Sequence, residues 1–298
     1  HTTVLLGEER FVASWRALVD RLGVPVCTPN ETAIFAVAQA ARGDGFKVAL
    51  TGEGADELFA GYALPLDMAL EHARGPDGAD GGRFQLDSNQ WVPIAHKHAV
   101  LSARAFEACH GDGALLDRYR SDFAALRALG AGTVGDARAE LLATHLRFHR
   151  RVNLPNLLAR LDTAAMLAGV EGRTPLADAT LAALAESLPI GEKFEPVSAS
   201  GVGVAAPASR RTKIALRRAF EADVPPRALT RAKESFPLPF ERWLTPACAA
   251  LRESPFARSA FTPAAVASVT ARPEAAWHLL WPMANVALWA DRWGWASA

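Results

Sequence analysis

The sequence predicts an α/β beginning that gives way to a mainly α-helical remainder. Three observations carry this. Residues 1–62 alternate helical periodicity with short apolar runs, whereas strand signals nearly vanish from about residue 63 onward. Between Lys47 and Tyr62 (KVALTGEGADELFAGY) an apolar run ends in a glycine turn and the chain restarts as a helix. Near the C-terminus Trp277, Trp281, Leu288 and Trp289 fall at helix-compatible spacing, the pattern of a packed terminal helix.

In order, Thr2 to Leu6 reads as a short strand. Glu8 to Leu22 reads as a helix with Phe11, Trp15, Leu18 and Leu22 on one side. Pro25 and Pro29 mark a loop, and Thr32 to Arg42 is a second helix stopped by Gly43 and Gly45. Lys47 to Leu50 is a short buried strand running into Thr51-Gly52-Glu53-Gly54, and Ala55 to Gly61 opens another helix. Beyond it, segments rich in Ala, Leu and Arg dominate, with loops at 74–83 and 196–209. The domain reading is a partial α/β core over 1–62 and a helical remainder over 63–298.

Half of the 298 residues are apolar, enough for a substantial core. Lys plus Arg and Asp plus Glu both number 32, so there is no basic excess to suggest a nucleic-acid or membrane-surface partner. Cys27, Cys109 and Cys248 are scattered, with neither a disulfide framework nor zinc-site spacing. A reduced, cytoplasmic setting fits this pattern. No signal peptide is visible, and no run is long and apolar enough to span a bilayer. The chain opens at His1 directly into Val4-Leu5-Leu6, so it reads as part of a longer or processed polypeptide.

The turn at 51–54 is the most informative segment. A strand, a sharp glycine turn and a helix start aim free N–H groups at an anion. Gly52 and Gly54 let the backbone approach a ligand closely. Glu53, Asp56 and Glu57 crowd the same place, and carboxylates repel phosphates, so a divalent cation is the natural mediator, with magnesium favoured. On pattern alone the same residues fit ordinary capping of a helix. The stretch is neither a Walker A loop nor a Rossmann fingerprint.

The run TGEGADELFAGY resembles the SGEGADELFGGY signature of the asparagine synthetase family, with Thr51 for Ser and Ala60 for Gly. Two more blocks follow in the family's order. LPNLLARLDTAAMLAGVEGRTPLAD (154–178) reads on its own as a helix ending in a loop, with salt bridges around it. It is similar to the family's LPxxLLxRxDRxSMAxSxExRxPFLD, matching at Arg160, Asp162, Met166, Glu171, Arg173, Pro175, Leu176 and Asp178 and departing at Thr163, Ala165 and Ala177. The stretch from Thr212 to Leu244 is similar to the family's K-x-x-L-R helix followed by R-x-K-x-x-F-x-x-P-x-x-x-W, with Lys213, Leu216, Arg217, Arg231, Lys233, Phe236, Pro239 and Trp243 in place. Read alone, Lys233 is one more solvated lysine.

The resemblance covers almost the whole chain. It implies part of the adenine-nucleotide α-hydrolase-like (HUP) parallel sheet, and ATP and magnesium as cofactors. Thr51, Gly52, Glu53, Gly54 and Tyr62 would bind nucleotide or acyl-adenylate, and Asp56 would hold the metal. Glu53 and Lys233 would be catalytic. Glu57, Arg160, Asp162, Glu171, Arg173 and Arg231 would support the site. Lys233 would stabilise charge developing on the adenylate phosphate, an electrostatic contribution that is large in a dry site.

Two parts of the family pattern are missing here: an SGGxDS pyrophosphate loop and a glutaminase half with its N-terminal cysteine. A second polypeptide supplying both would be a partner. The expected reaction is aspartate adenylation followed by amide formation with glutamine-derived ammonia. A related cyclase of β-lactam or lasso-peptide type, and a truncated non-catalytic subunit, are the alternatives.

Overall fold

The computed structural model describes residues 1–75, 80–130, 136–197, 208–231 and 238–295. The first helix, α1 (Glu8–Leu22), buries Phe11, Trp15, Leu18 and Val19 along one stripe and stops at Gly23, whose φ of +68° suits glycine. The second, α2 (Asn30–Gly43), buries Ala33, Phe35, Ala36 and Ala38. A three-residue strand, β1 (Val48–Leu50), then leads through the glycine turn into a five-residue helix, α3 (Ala55–Phe59).

Four expectations change. Thr2 to Leu6 carries no strand: a strand needs a ladder partner, and no described residue pairs with it. The strand at Lys47 to Leu50 forms at Val48–Leu50 but is not buried, with Val48 and Leu50 exposed. Where the sequence suggests a loop, Glu171–Arg173 forms a second strand, β2, parallel to β1 in the register Val48↔Glu171, Ala49↔Gly172, Leu50↔Arg173. Among the described residues these two strands are the whole sheet. Gly81 and Gly82, placed by sequence in a loop, begin the Gly81–Asn89 helix, capped by the Asp80 side chain.

Helices account for most of the rest. The Leu154–Leu167 helix packs with α2 over the Ala49 side of the sheet, where Ala38, Ala165 and Val170 are buried. The main core gathers Phe11 and Trp15 of α1 with Leu251 and with Leu280 and Trp281 of the C-terminal helix Trp277–Arg292. Each such fully buried side chain contributes about 2–3 kcal/mol. Polar bonds lock the same contact: Trp15 Nε1 donates to Asn285 Oδ1 (2.8 Å), and Asn285 Nδ2 donates to the Val26 carbonyl (2.7 Å). All three cysteines are free thiols. No described helix is long and apolar enough to cross a membrane.

The helical part holds a second, polar interior. His145, at 1% exposure, lies on the Ala137–Phe148 helix with its Nδ1 2.7 Å from Gln85 Nε2. His149 begins the π-helical turn that follows, Tyr62 stands edge-on to its ring, and its Nδ1 is buried without a partner. Burial pushes His145 down to about 3, helped by nearby His149 and His72, and pushes His149 down to about 4.

Candidate functional site

The site is assembled around residues 51–62. Thr51 N–H donates to the Arg173 carbonyl (2.8 Å) and so ends the ladder. Gly54 takes φ +96°, and a Cβ there would lie 2.8 Å from the Leu176 carbonyl oxygen, so only glycine fits. α3 ends at Ala60 with φ +58°, a left-handed conformation that costs an alanine about 1 kcal/mol. This is where the resembled signature has glycine; here the methyl is buried in a small apolar cluster, which offsets the strain.

The three carboxylates take three different partners. Glu53 Oε1 faces Arg160 Nη2 at 3.4 Å, and Arg160 Nη1 reaches Thr28 Oγ1 at the same distance. Asp56 Oδ1 pairs with Lys213 Nζ at 3.0 Å. Glu57, 1% exposed, accepts a 2.6 Å bond from the Tyr62 hydroxyl. Burial pushes the Glu57 carboxyl up, and burial followed by the Glu57 charge pushes the Tyr62 phenol up. Gly61 makes the second pairing possible, because a Cβ there would sit 1.7 Å from Asp56 Oδ1 and 2.5 Å from Lys213 Cε.

A cavity of about 510 Å³ opens beside Glu53. Ile34 and Val37 of α2, Ala49, Leu161, Ala165 and Val170 give it an apolar lining, and Thr51, Gly52, Glu53 and Arg160 line it with polar groups. The Thr51 hydroxyl and Arg160 Nε are buried there without hydrogen-bond partners. Such atoms are costly unless a ligand or water meets them. A larger hollow beside Glu8, Glu9 and Arg16 of α1 involves none of the residues singled out by sequence.

Of those residues, Thr51, Gly52, Glu53 and Arg160 share this cavity; Gly54, Asp56 and Glu57 follow along the same turn and α3, and Tyr62 lies just beyond that helix. Asp162 is exposed on the Leu154–Leu167 helix. Glu171 and Arg173 bond to each other (2.6 and 3.0 Å) on the outer face of β2, while Gly172 between them lines the cavity. Arg231 is exposed, and Lys233 lies outside the described residues. Sequence reasoning passed over Lys213 as a partner for Asp56. It also passed over α2 as a cavity wall, although Ala33, Val37 and Ala41 at helical spacing signal close packing.

Residues 1–291 match the family model for asparagine synthase. Proteins of Mycobacterium bovis and Mycobacterium tuberculosis that bear the provisional name asparagine synthetase (glutamine-hydrolyzing) are 30% identical over 266 residues. The match takes in 82% of this chain and 37% of each relative, so the chain spans little more than a third of their length.

Proposed function

This chain belongs to the asparagine synthase family, and from that premise we propose that it is the synthetase part of an ATP-dependent carbon–nitrogen ligase that makes asparagine from aspartate. The observation that supports this most directly is convergence. Glu53 of the first sequence block meets Arg160 of the second, and Asp56 of the first meets Lys213 of the third. Distant segments thus build one polar turn at the mouth of an apolar cavity, an arrangement suited to holding a charged, reactive ligand away from water.

In the proposed reaction the aspartate carboxylate oxygen attacks the α-phosphorus of ATP and pyrophosphate leaves. Ammonia from glutamine then attacks the acyl carbon, and AMP departs with the bonding electron pair. The Thr51 hydroxyl and the backbone at Gly52 and Gly54 would receive the nucleotide. Glu53, steadied by Arg160, would take the proton that the attacking ammonia sheds. Lys233 would face the charge that builds on phosphate and acyl oxygens. Tyr62 would hold Glu57 in place beneath the turn.

Among the described residues no group of three or more His, Cys, Asp or Glu side chains could hold a metal unaided. The chemistry of the turn fits a magnesium ion accompanying the nucleotide: Asp56 would be its protein ligand, and the ion would supply positive charge to the phosphates. Further polypeptide, supplying a pyrophosphate loop and a glutaminase, completes the proposal, in a cytoplasmic setting.

ATP–pyrophosphate exchange on the complete assembly should require aspartate and fall about a hundredfold in Lys233→Ala, and ammonia-dependent asparagine formation should fall about a hundredfold in Glu53→Gln. Unchanged exchange in the first variant together with unchanged asparagine formation in the second would refute the assignment. One observation favours a second reading. Ala165 lines the cavity where the family pattern has Ser, making the lining more apolar. Exchange stimulated by a peptide or amino-acid derivative carrying its own amine, and not by aspartate, would identify a cyclase. Calorimetry with Mg·ATP that detects no binding to the complete assembly would identify a non-catalytic subunit.

A further inference from the structure

A second cavity, of about 690 Å³, lies among the helices and shares no lining residue with the one beside Glu53. Leu129 near the end of the Gly113–Gly130 helix, Ala143 and Leu146 of the Ala137–Phe148 helix, and Ile190 in the turn after the Ala179–Ser187 helix give it apolar walls. Arg147, Glu186 and Lys193 add charge to the lining. Apolar walls with a few placed polar groups are the make-up of a small-molecule site.

The charges here do not balance. Glu186 is already shared between two arginines: its Oε1 accepts from Arg147 Nε (2.6 Å), and its Oε2 faces Arg150 Nη1 (2.8 Å). Arg147 Nη1 also donates to Glu140 Oε1 (2.8 Å). Lys193 is 3% exposed, and among the described residues its ammonium makes one hydrogen bond, to the neutral Ala185 carbonyl (2.7 Å), and no ion pair. Two of its three N–H groups are therefore unused. Arg147, Arg150 and Lys193 stand against Glu140 and Glu186, three cations to two carboxylates, which leaves one positive charge over. A buried ammonium without a counter-ion is costly. Burial pushes Lys193 down to about 8, although the Glu186 charge pulls the other way. A clamp on the last carbonyls of the Ala179–Ser187 helix would account for the one bond, but not for the surplus charge or the space beside it.

We infer that this cavity binds a small monocarboxylate with an apolar body, its carboxylate on the Lys193 ammonium and its hydrocarbon against Leu129, Ala143, Leu146 and Ile190. A carboxylate supplies the missing counter-ion and takes up the two free ammonium hydrogens. Its single charge matches the surplus, and its hydrocarbon covers walls that inorganic phosphate would leave wet. Nothing in this site depends on the reaction proposed above.

Calorimetry at pH 7 on the complete assembly, with sodium 4-methylpentanoate as the probe, tests it. The acid should bind. Both 4-methylpentan-1-ol, which has the same hydrocarbon and no charge, and inorganic phosphate, which has the charge and no hydrocarbon, should bind more weakly by about tenfold or more. Lys193→Met keeps the apolar stem and removes the charge, so it should weaken the acid by about tenfold or more and leave the alcohol unchanged. Ala143 is a partly exposed wall residue. Ala143→Phe should therefore fill the cavity, abolish binding of the acid and leave the melting temperature of the assembly unchanged. Should Lys193→Met fail to fold, Ala143→Phe and the comparison of acid with alcohol decide.

No binding of the acid at about 10 mM would overturn the inference. So would an alcohol that binds as tightly as the acid, or undiminished acid binding in Ala143→Phe or in a folded Lys193→Met. Displacement of the acid by aspartate or ATP would put it in the cavity beside Glu53 and overturn the inference as well. Binding that passes these tests in an assembly without aspartate-dependent exchange would refute the proposed reaction and uphold the carboxylate site.

Discussion

Acidification should weaken this fold in a window set by two buried histidines. His145 and His149 are held near 3 and 4, whereas an unfolded histidine titrates near 6.5. Between those values the unfolded chain binds protons that the native protein refuses, so stability falls as pH drops below about 6.5 and keeps falling toward the folded values. At pH 5 the loss relative to pH 8 is about 2 kcal/mol for each ring, or about 4 kcal/mol together. Both side chains are almost fully buried, so solvent screening takes little from these figures.

Two carboxyls act in the opposite sense. Glu31 and Glu57, pushed up by burial, bind protons more readily in the native state and so oppose part of this loss. Asp80, Asp178 and Glu186, all pushed down, titrate at lower pH and stay nearly silent at pH 5. The histidine share is therefore read as a difference. Urea unfolding followed by tryptophan fluorescence at pH 8 and pH 5 should show His149→Phe losing about 2 kcal/mol less than wild type. Equal losses, within about 0.5 kcal/mol, would mean that His149 is hydrated and titrates normally, and the reasoning would fail.

Two further outcomes are expected. Gly61→Ala drives a methyl into Asp56 and Lys213, so it should break their ion pair and lower stability by about 1–3 kcal/mol; an unaltered thermal melt would show that the turn relaxes freely. Asn285→Leu leaves the Trp15 indole N–H and the Val26 carbonyl buried without partners, at a cost of about 3 kcal/mol in chemical denaturation, and a cost under about 1 kcal/mol would indicate that water replaces the amide.

How far the sequence could be read depended on whether the signal was local. α1 and α2 were legible because apolar periodicity runs into Gly23 and Gly43 with Gly45. The turn at 51–54 was legible because glycine and acid are concentrated there. β2 was not, since Glu171-Gly172-Arg173 has no apolar alternation and is extended only because β1 pairs with it. Thr2 to Leu6 failed in the other direction, with a strand-like pattern and no neighbour to bond. Within the site, the pairing of Asp56 with Lys213 and the wall supplied by α2 arise from tertiary packing, which spacing along the chain does not encode. The resemblance to a family pointed to Arg160, and the 3.4 Å contact with Glu53 gives that residue a physical task.

The bond between Trp15 and Asn285 has a consequence for biosynthesis. One partner leaves the ribosome 270 positions before the other. At about 5–20 residues per second, α1 would wait on the order of 15–60 seconds for the helix that covers its aromatic stripe. During that interval Phe11 and Trp15 are open to chaperones and to neighbouring nascent chains. A stop codon shortly before residue 277 would make that exposure permanent, so a chain without the Trp277–Arg292 helix should yield aggregated product.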